Sequence, residues 1–192
     1  MAGGWDAQTG HQANIYKSPS NPSSTPFSAN DAITYYTTAG RIDPSEMVLG
    51  MPIYGRAFLN TDGPGRSYNG VGAPEPGSWE AGTWDYKALP RPGAQEFFDP
   101  SLIASWSYDA GKRMMVTYDT PECERRKVDY IKEKGLGGAM WWESSADKTG
   151  DGSLIGTVAS ALGGGDFGGL DQNENLLSYP RSKYDNLRRQ FQ

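Results

Sequence analysis

Apolar positions follow two different styles along this chain, and the change of style divides it. Met47-Val-Leu-Gly-Met-Pro-Ile-Tyr54 is a near-continuous apolar run, the signature of a strand buried on both faces. Gly50 and Pro52 are awkward inside a central strand, so it bends or ends there, and Tyr54 and Arg56 emerge at its C-terminal tip. Upstream, residues 6–30 are polar and rich in Ser, Pro and Asn, which predicts a long surface loop. Ser28 followed by Asp31 is an approximate capping box, so a helix should run from there to about Thr38 and stop at Gly40. Downstream, Thr120-Pro121-Glu122 opens a second helix with an N-cap, a proline at the first helical position and acid in the first turn. Val128 and Ile131 share one face of it, and Gly135 closes it. A strand over Gly138–Trp142 and a helix over about Ser153–Leu162, stopped by Gly163, complete a strand–helix–strand–helix order. That order belongs to parallel α/β proteins.

Residues 57–119 interrupt it in another style. Glycines and prolines punctuate short pieces, and Ile103–Tyr108 and Met114–Tyr118 read as a hairpin around Asp109-Ala-Gly-Lys112. This block predicts an antiparallel α+β insert. At the far end, Gly163–Gly169 reads as a flexible break before an amphiphilic tail, Leu176–Phe191. The expected division is therefore 1–56 and 120–192 as two parts of one α/β body, with 57–119 inserted between them.

Composition narrows the function classes. With 192 residues, 25 glycines and 13 prolines, the chain predicts one substantial, loop-rich domain, or a core with a smaller insert. The net charge is −5, and apart from Arg125-Arg126-Lys127 and Arg188-Arg189 the cations are scattered. The basic footprint of a nucleic-acid binder is missing. A single cysteine, Cys123, allows no internal disulfide, and a single histidine, His11, excludes a multi-histidine metal site. No run of 18 apolar residues offers a membrane span, and the first residues lack the basic and apolar regions of a signal peptide.

Candidate chemistry concentrates at aromatic and acidic positions. In Ala139-Met-Trp-Trp-Glu143, strand alternation sends Trp141 and Trp142 to opposite faces. One packs outward against helices, and the other points inward, close to Glu143 and Asp147 at the C-terminal end of the strand. Parallel α/β proteins keep their sites at that end. Asp147-Lys-Thr-Gly-Asp-Gly152 resembles the start of a calcium loop, but Val158 stands where the bidentate Glu is needed, so a turn capping the next helix is expected. Cys123 falls in the first turn of a helix, where a thiolate is favoured, with no histidine near it in sequence. Trp5, Tyr54, Arg56, Trp79-Glu80, Trp84 and Trp142 could each be core packing. Together they describe an aromatic cleft with polar anchors, suited to carbohydrate.

The order of these pieces resembles the C-terminal half of family 18 glycoside hydrolases, fungal-type endochitinases in particular. Ala2-Gly-Gly-Trp5 and His11-Gln-Ala-Asn14 look like the segment after barrel strand six. Val48–Arg56 looks like strand seven, and Gly77-Ser-Trp-Glu80 with Trp84-Asp-Tyr86 like landmarks of the family's insertion. Gly137–Glu143 looks like strand eight, and Tyr179-Pro180 with Tyr184-Asp-Asn186 like the fungal closing segment. The resemblance implies an α/β fold: the C-terminal part of a TIM (β/α)8 barrel with an α+β insertion domain. It implies chitin or chito-oligosaccharide as partner, no cofactor, no metal, and an extracellular setting. Trp142 would lie beneath the sugar at the scissile bond and Trp5 on the leaving-group side. Tyr54 and Arg56 would line the cleft, and Glu80 would reach toward it. The family's Asp-x-x-Asp-x-Asp-x-Glu motif, which carries the general acid, occurs nowhere in the chain, and a bare Met1 stands in place of Met-x-Tyr-Asp. The chain alone is therefore expected to be inactive, completed by an N-terminal barrel half, with a non-catalytic chito-oligosaccharide binder as the alternative.

Overall fold

The computed structural model describes residues 3–163 and 177–189. The glycine-rich stretch 164–169 and both ends of the tail therefore lie outside the described residues. In chain order the elements are α1 (Ala29–Thr38), β1 (Val48–Pro52), β2 (Tyr54–Phe58), β3 (Thr83–Asp85), β4 (Gln95–Asp99), β5 (Ala104–Asp109), β6 (Met114–Thr117), α2 (Pro121–Lys134), β7 (Gly138–Trp142), α3 (Leu154–Gly163) and the single turn α4 (Asp185–Arg188).

Two sheets account for the change of style in the sequence. β1 and β7 pair in parallel, from Val48 opposite Gly138 to Pro52 opposite Trp142. The other five strands form an antiparallel sheet in the order β3-β2-β6-β5-β4, with the expected β5–β6 hairpin in it. The run Met47–Tyr54 is thus not one strand. It breaks at Ile53, and Tyr54 and Arg56 belong to the antiparallel sheet. Ile53 is buried, its N–H donates to the Trp142 carbonyl (2.9 Å), and its carbonyl accepts from the Tyr86 N–H (3.3 Å). One residue therefore ties the two sheets together.

The expectation that this strand is buried on both faces fails for β1. Leu49, Met51 and Pro52 are buried, but Val48 is 59 % and Met140 on β7 is 49 % exposed, and Gly50 between them is open. The apolar run reports how much surface the strand needs covered, and only one face is covered by these residues.

Beneath the covered face sits one core cluster, in which Leu49 and Met51 meet Ile15, Val128 and Ile131 of α2, and Val158 of α3. A second joins Ile53, Ala57, Val116 and Tyr118 to Trp84, Tyr86 and Leu154. Trp141 packs against both. The polar segment 6–30 is also not a surface loop throughout. Thr9, His11, Gln12, Asn14 and Ile15 are buried, because side-chain amides satisfy the backbone there. Gln12 Nε2 donates to the Tyr54 carbonyl (2.6 Å), and Asn14 Nδ2 to the carbonyls of Tyr16 and Phe27.

α2 starts and stops as its sequence predicts. Thr120 Oγ1 accepts from the Cys123 N–H, Pro121 opens the first turn, and Gly135 adopts the left-handed conformation (φ 65°). Behind its first turns lies a buried cluster of Asp119, Cys123, Glu124 and Lys127, with Lys127 Nζ paired to Asp119 Oδ2. Burial alone would lower the Lys127 pKa, but the charge of Asp119 and its neighbours outweighs it and holds the ammonium protonated. The helix N-terminus does not make Cys123 a thiolate: desolvation, then Asp119, push its pKa well up. Glu124 is likewise raised by burial and by Asp119.

Candidate functional site

Where β7 ends, the chain turns sharply through a cis Trp142–Glu143 peptide. The two tryptophans separate as alternation requires. Trp141 goes into the core, while Trp142 stands 70 % exposed beside the end of β1. Glu143 caps the following short turn. Its carboxylate accepts from the Ser145 hydroxyl (2.5 Å) and N–H (3.3 Å), which hold its pKa below the ordinary range. It therefore stays ionised and is poorly placed to donate a proton. Asp147 does not join it. Its carboxylate accepts from the N–H groups of Leu154 and Ile155 and from the Ser153 hydroxyl, capping α3 as the turn reading expected.

Between Trp142 and the antiparallel sheet opens a cleft of about 230 Å³, lined by Tyr54, Arg56, Trp79, Glu80, Thr83, Asp85 and Glu143. A second hollow, about 330 Å³, shares Arg56 and Glu80 and is walled by Trp5 and Val71. The structure thus gathers all five predicted binding residues, Trp5, Tyr54, Arg56, Glu80 and Trp142, around two adjoining hollows.

Arg56 is the hinge of this arrangement. Register places it opposite Thr83 on β3 and Thr117 on β6. Its guanidinium carbon lies 4.9 Å from the Trp5 ring centroid and 5.5 Å from that of Tyr54, within cation–π range. Nη1 donates to Thr83 Oγ1 (3.4 Å), whose own hydroxyl donates to Glu80 Oε1 (2.9 Å). Arg56 Nε is buried without a hydrogen-bond partner among the described residues. A buried donor left unmade is costly.

Trp79, one of the aromatic positions that stood out in the sequence, lines the cleft, and so do Thr83 and Asp85, which did not stand out. The signal that could have found them is the pairing of β3 with β2, which puts Asp85 opposite Tyr54 and Thr83 opposite Arg56. Among the described residues no cluster of three His, Cys, Asp or Glu could hold a metal ion, and no helix is long and apolar enough to cross a membrane. The site consists of exposed indoles, an arginine with a spare donor and carboxylates held by neighbours, a set that suits a neutral polyol with apolar faces.

Comparison with known proteins identifies the family. Residues 1–147 match the family described as "Glycosyl hydrolases family 18". The chain is 48 % identical over 191 residues to Endochitinase 1 of Metarhizium robertsii, covering 100 % of this chain and 43 % of that protein. It is 47 % identical to Chitinase 1 of Aphanocladium album, covering 98 % and 42 %. Its fold is similar to the catalytic domain of a psychrophilic chitinase B from Arthrobacter TAD20, with a TM-score of 0.71, 34 % identity, and coverage of 88 % of this chain and 37 % of the other. It is also similar to a plant class V chitinase mutant from Cycas revoluta in complex with (GlcNAc)3, with a TM-score of 0.68, 28 % identity, and coverage of 84 % and 44 %. The chain belongs to the glycosyl hydrolases of family 18. Its fold is the C-terminal part of a (β/α)8 barrel with the α+β insertion, and it spans less than half the length of the relatives it matches.

Proposed function

We propose that this chain supplies the sugar-binding wall of a chitinase cleft and that, by itself, it binds chito-oligosaccharides without hydrolysing them. The observation that carries the reading is the cleft itself: exposed Trp142 and Trp5 flank Arg56, whose buried Nε has no partner among the described residues. Indole faces stack on the C–H face of a pyranose, while Arg56 and Glu80 supply the few polar anchors such a site needs. Tyr54 and Trp142 line the part nearest the strand ends, and Trp5 the neighbouring hollow.

Hydrolysis in this family uses the substrate's own N-acetyl oxygen as nucleophile and so departs from the two-carboxylate scheme. The reaction still requires a positioned general acid, worth about 10²–10⁴-fold in rate. The acidic motif that would carry it is not in these 192 residues, and Glu143, held ionised, is no substitute. The open face of β1 and β7 is covered, in this reading, by the remaining part of the barrel that the longer relatives carry. Residues 57–119 act as the inserted wall of the cleft, and the working protein is extracellular.

Two measurements test this. Titration calorimetry with a chitin tetramer should show binding that Trp142→Ala abolishes. Turnover of a fluorogenic chitobioside should not exceed that of a Glu143→Gln control. Turnover above that control would mean that the acid lies within this chain.

A further inference from the structure

Trp79 is 80 % exposed, yet its indole N–H is shared by both carboxylate oxygens of buried Asp85, at 2.9 Å each. Solvation does not require this, because an exposed N–H finds water, whereas a carboxylate loses hydration when it is buried. Asp85 also lies 3.4 Å from Lys87 Nζ, which donates to the Ser145 carbonyl (2.6 Å). Ser145 in turn holds the Glu143 carboxylate, next in sequence to Trp142. An unbroken polar chain therefore runs from Trp79 on the insert to the turn that carries Trp142.

We infer that Asp85 is a positioning residue of the cleft, locking the Trp79 ring and, through Lys87 and Ser145, setting it against Trp142 for a sugar chain. Holding an aromatic surface rigid before binding removes the ordering cost that a free ring incurs on complex formation. Asp85 touches no ligand in this assignment; it acts through Trp79. The inference rests on the sugar-binding reading for its purpose, but its geometry can be tested without it.

Hydrogen exchange of the indole N–H groups, followed by NMR with Trp79 assigned through Trp79→Phe, is the direct experiment. In the unaltered chain the Trp79 indole should exchange about tenfold to a hundredfold more slowly than that of Trp142, as expected of a hydrogen bond to a charged group. Equal rates would overturn the assignment, and this comparison requires no variant to fold. In Asp85→Asn the Trp79 protection should fall about tenfold, with the backbone amides of β2 and β3 unchanged and affinity for a chitin tetramer reduced by a similar factor. Lys87→Met should reproduce part of the affinity loss while leaving Trp79 protected. Unchanged Trp79 exchange in Asp85→Asn would sink the idea. A chain that binds no tetramer at all while its Trp79 exchange follows this pattern would remove the sugar reading and keep Asp85 as the clamp on Trp79.

Discussion

Trp141 and Trp142 are adjacent yet have different partners, and their substitution should show it. Trp142 is exposed, so Trp142→Ala should remove oligosaccharide affinity and hardly move the unfolding midpoint. Trp141 touches both core clusters, so Trp141→Ala should cost about 3 kcal/mol in denaturant unfolding. The reverse pattern would mean that ligand and core have exchanged faces. His11 gives a second test. It is buried edge-on to Trp106, and desolvation lowers its pKa from 6.5 to about 4, against a smaller opposing pull from Asp99. The folded imidazole is neutral where the unfolded one takes up a proton. Its contribution is therefore complete above pH 6.5, lost as pH falls from 6.5 toward 4, and amounts to about 3 kcal/mol at most. As the sole histidine, its ring resonances need no assignment and should stay flat between pH 7 and 5. A titration centred near 6.5 would contradict the burial.

At the scale of elements, α2 separates local from tertiary effects. Thr120→Ala removes only a cap and should cost about 1 kcal/mol. Lys127→Met leaves buried Asp119 without its cation, and should cost about 3–5 kcal/mol. Paired urea melts would reveal the order, and equal losses would mean that the ion pair is hydrated. The limits of that helix were legible in the sequence because caps act through residues next to one another. The same is true of α1, where Ser28 accepts from the Asp31 N–H, and of the β5–β6 hairpin. Lys127 was not legible: it stands in a basic triplet with Arg125 and Arg126, and only the fold turns it toward Asp119. The break at Ile53 and the burial of segment 6–30 were hidden for the same reason, since both depend on partners far away in sequence, Trp142 and Tyr54 among them. Of the cleft, the aromatic and charged types stood out in the sequence, but Thr83 and Asp85 gain their meaning only from β2–β3 register.

For the whole molecule, the uneven cover of the two sheets sets the expected behaviour. Two parallel strands with one open apolar face are a weak unit, whereas the central strands β2, β6 and β5 of the five-stranded sheet are paired on both sides and packed. Amide exchange should be fastest in β1 and β7 and slowest in β2, β5 and β6, and sedimentation should reveal self-association as concentration rises. Uniform strong protection in a dilute monomer would contradict this. The single-residue junction at Ile53 has a separate consequence. Its N–H is held by the strand that carries Trp142 and its carbonyl by the segment that follows Asp85. Prising the two walls apart would break at least one of these bonds, inside the core. Under the proposed sugar-binding reading, the cleft then works as a gauge of fixed bore: a sugar chain must match the opening it meets, and adjustment is left to the rings that line it.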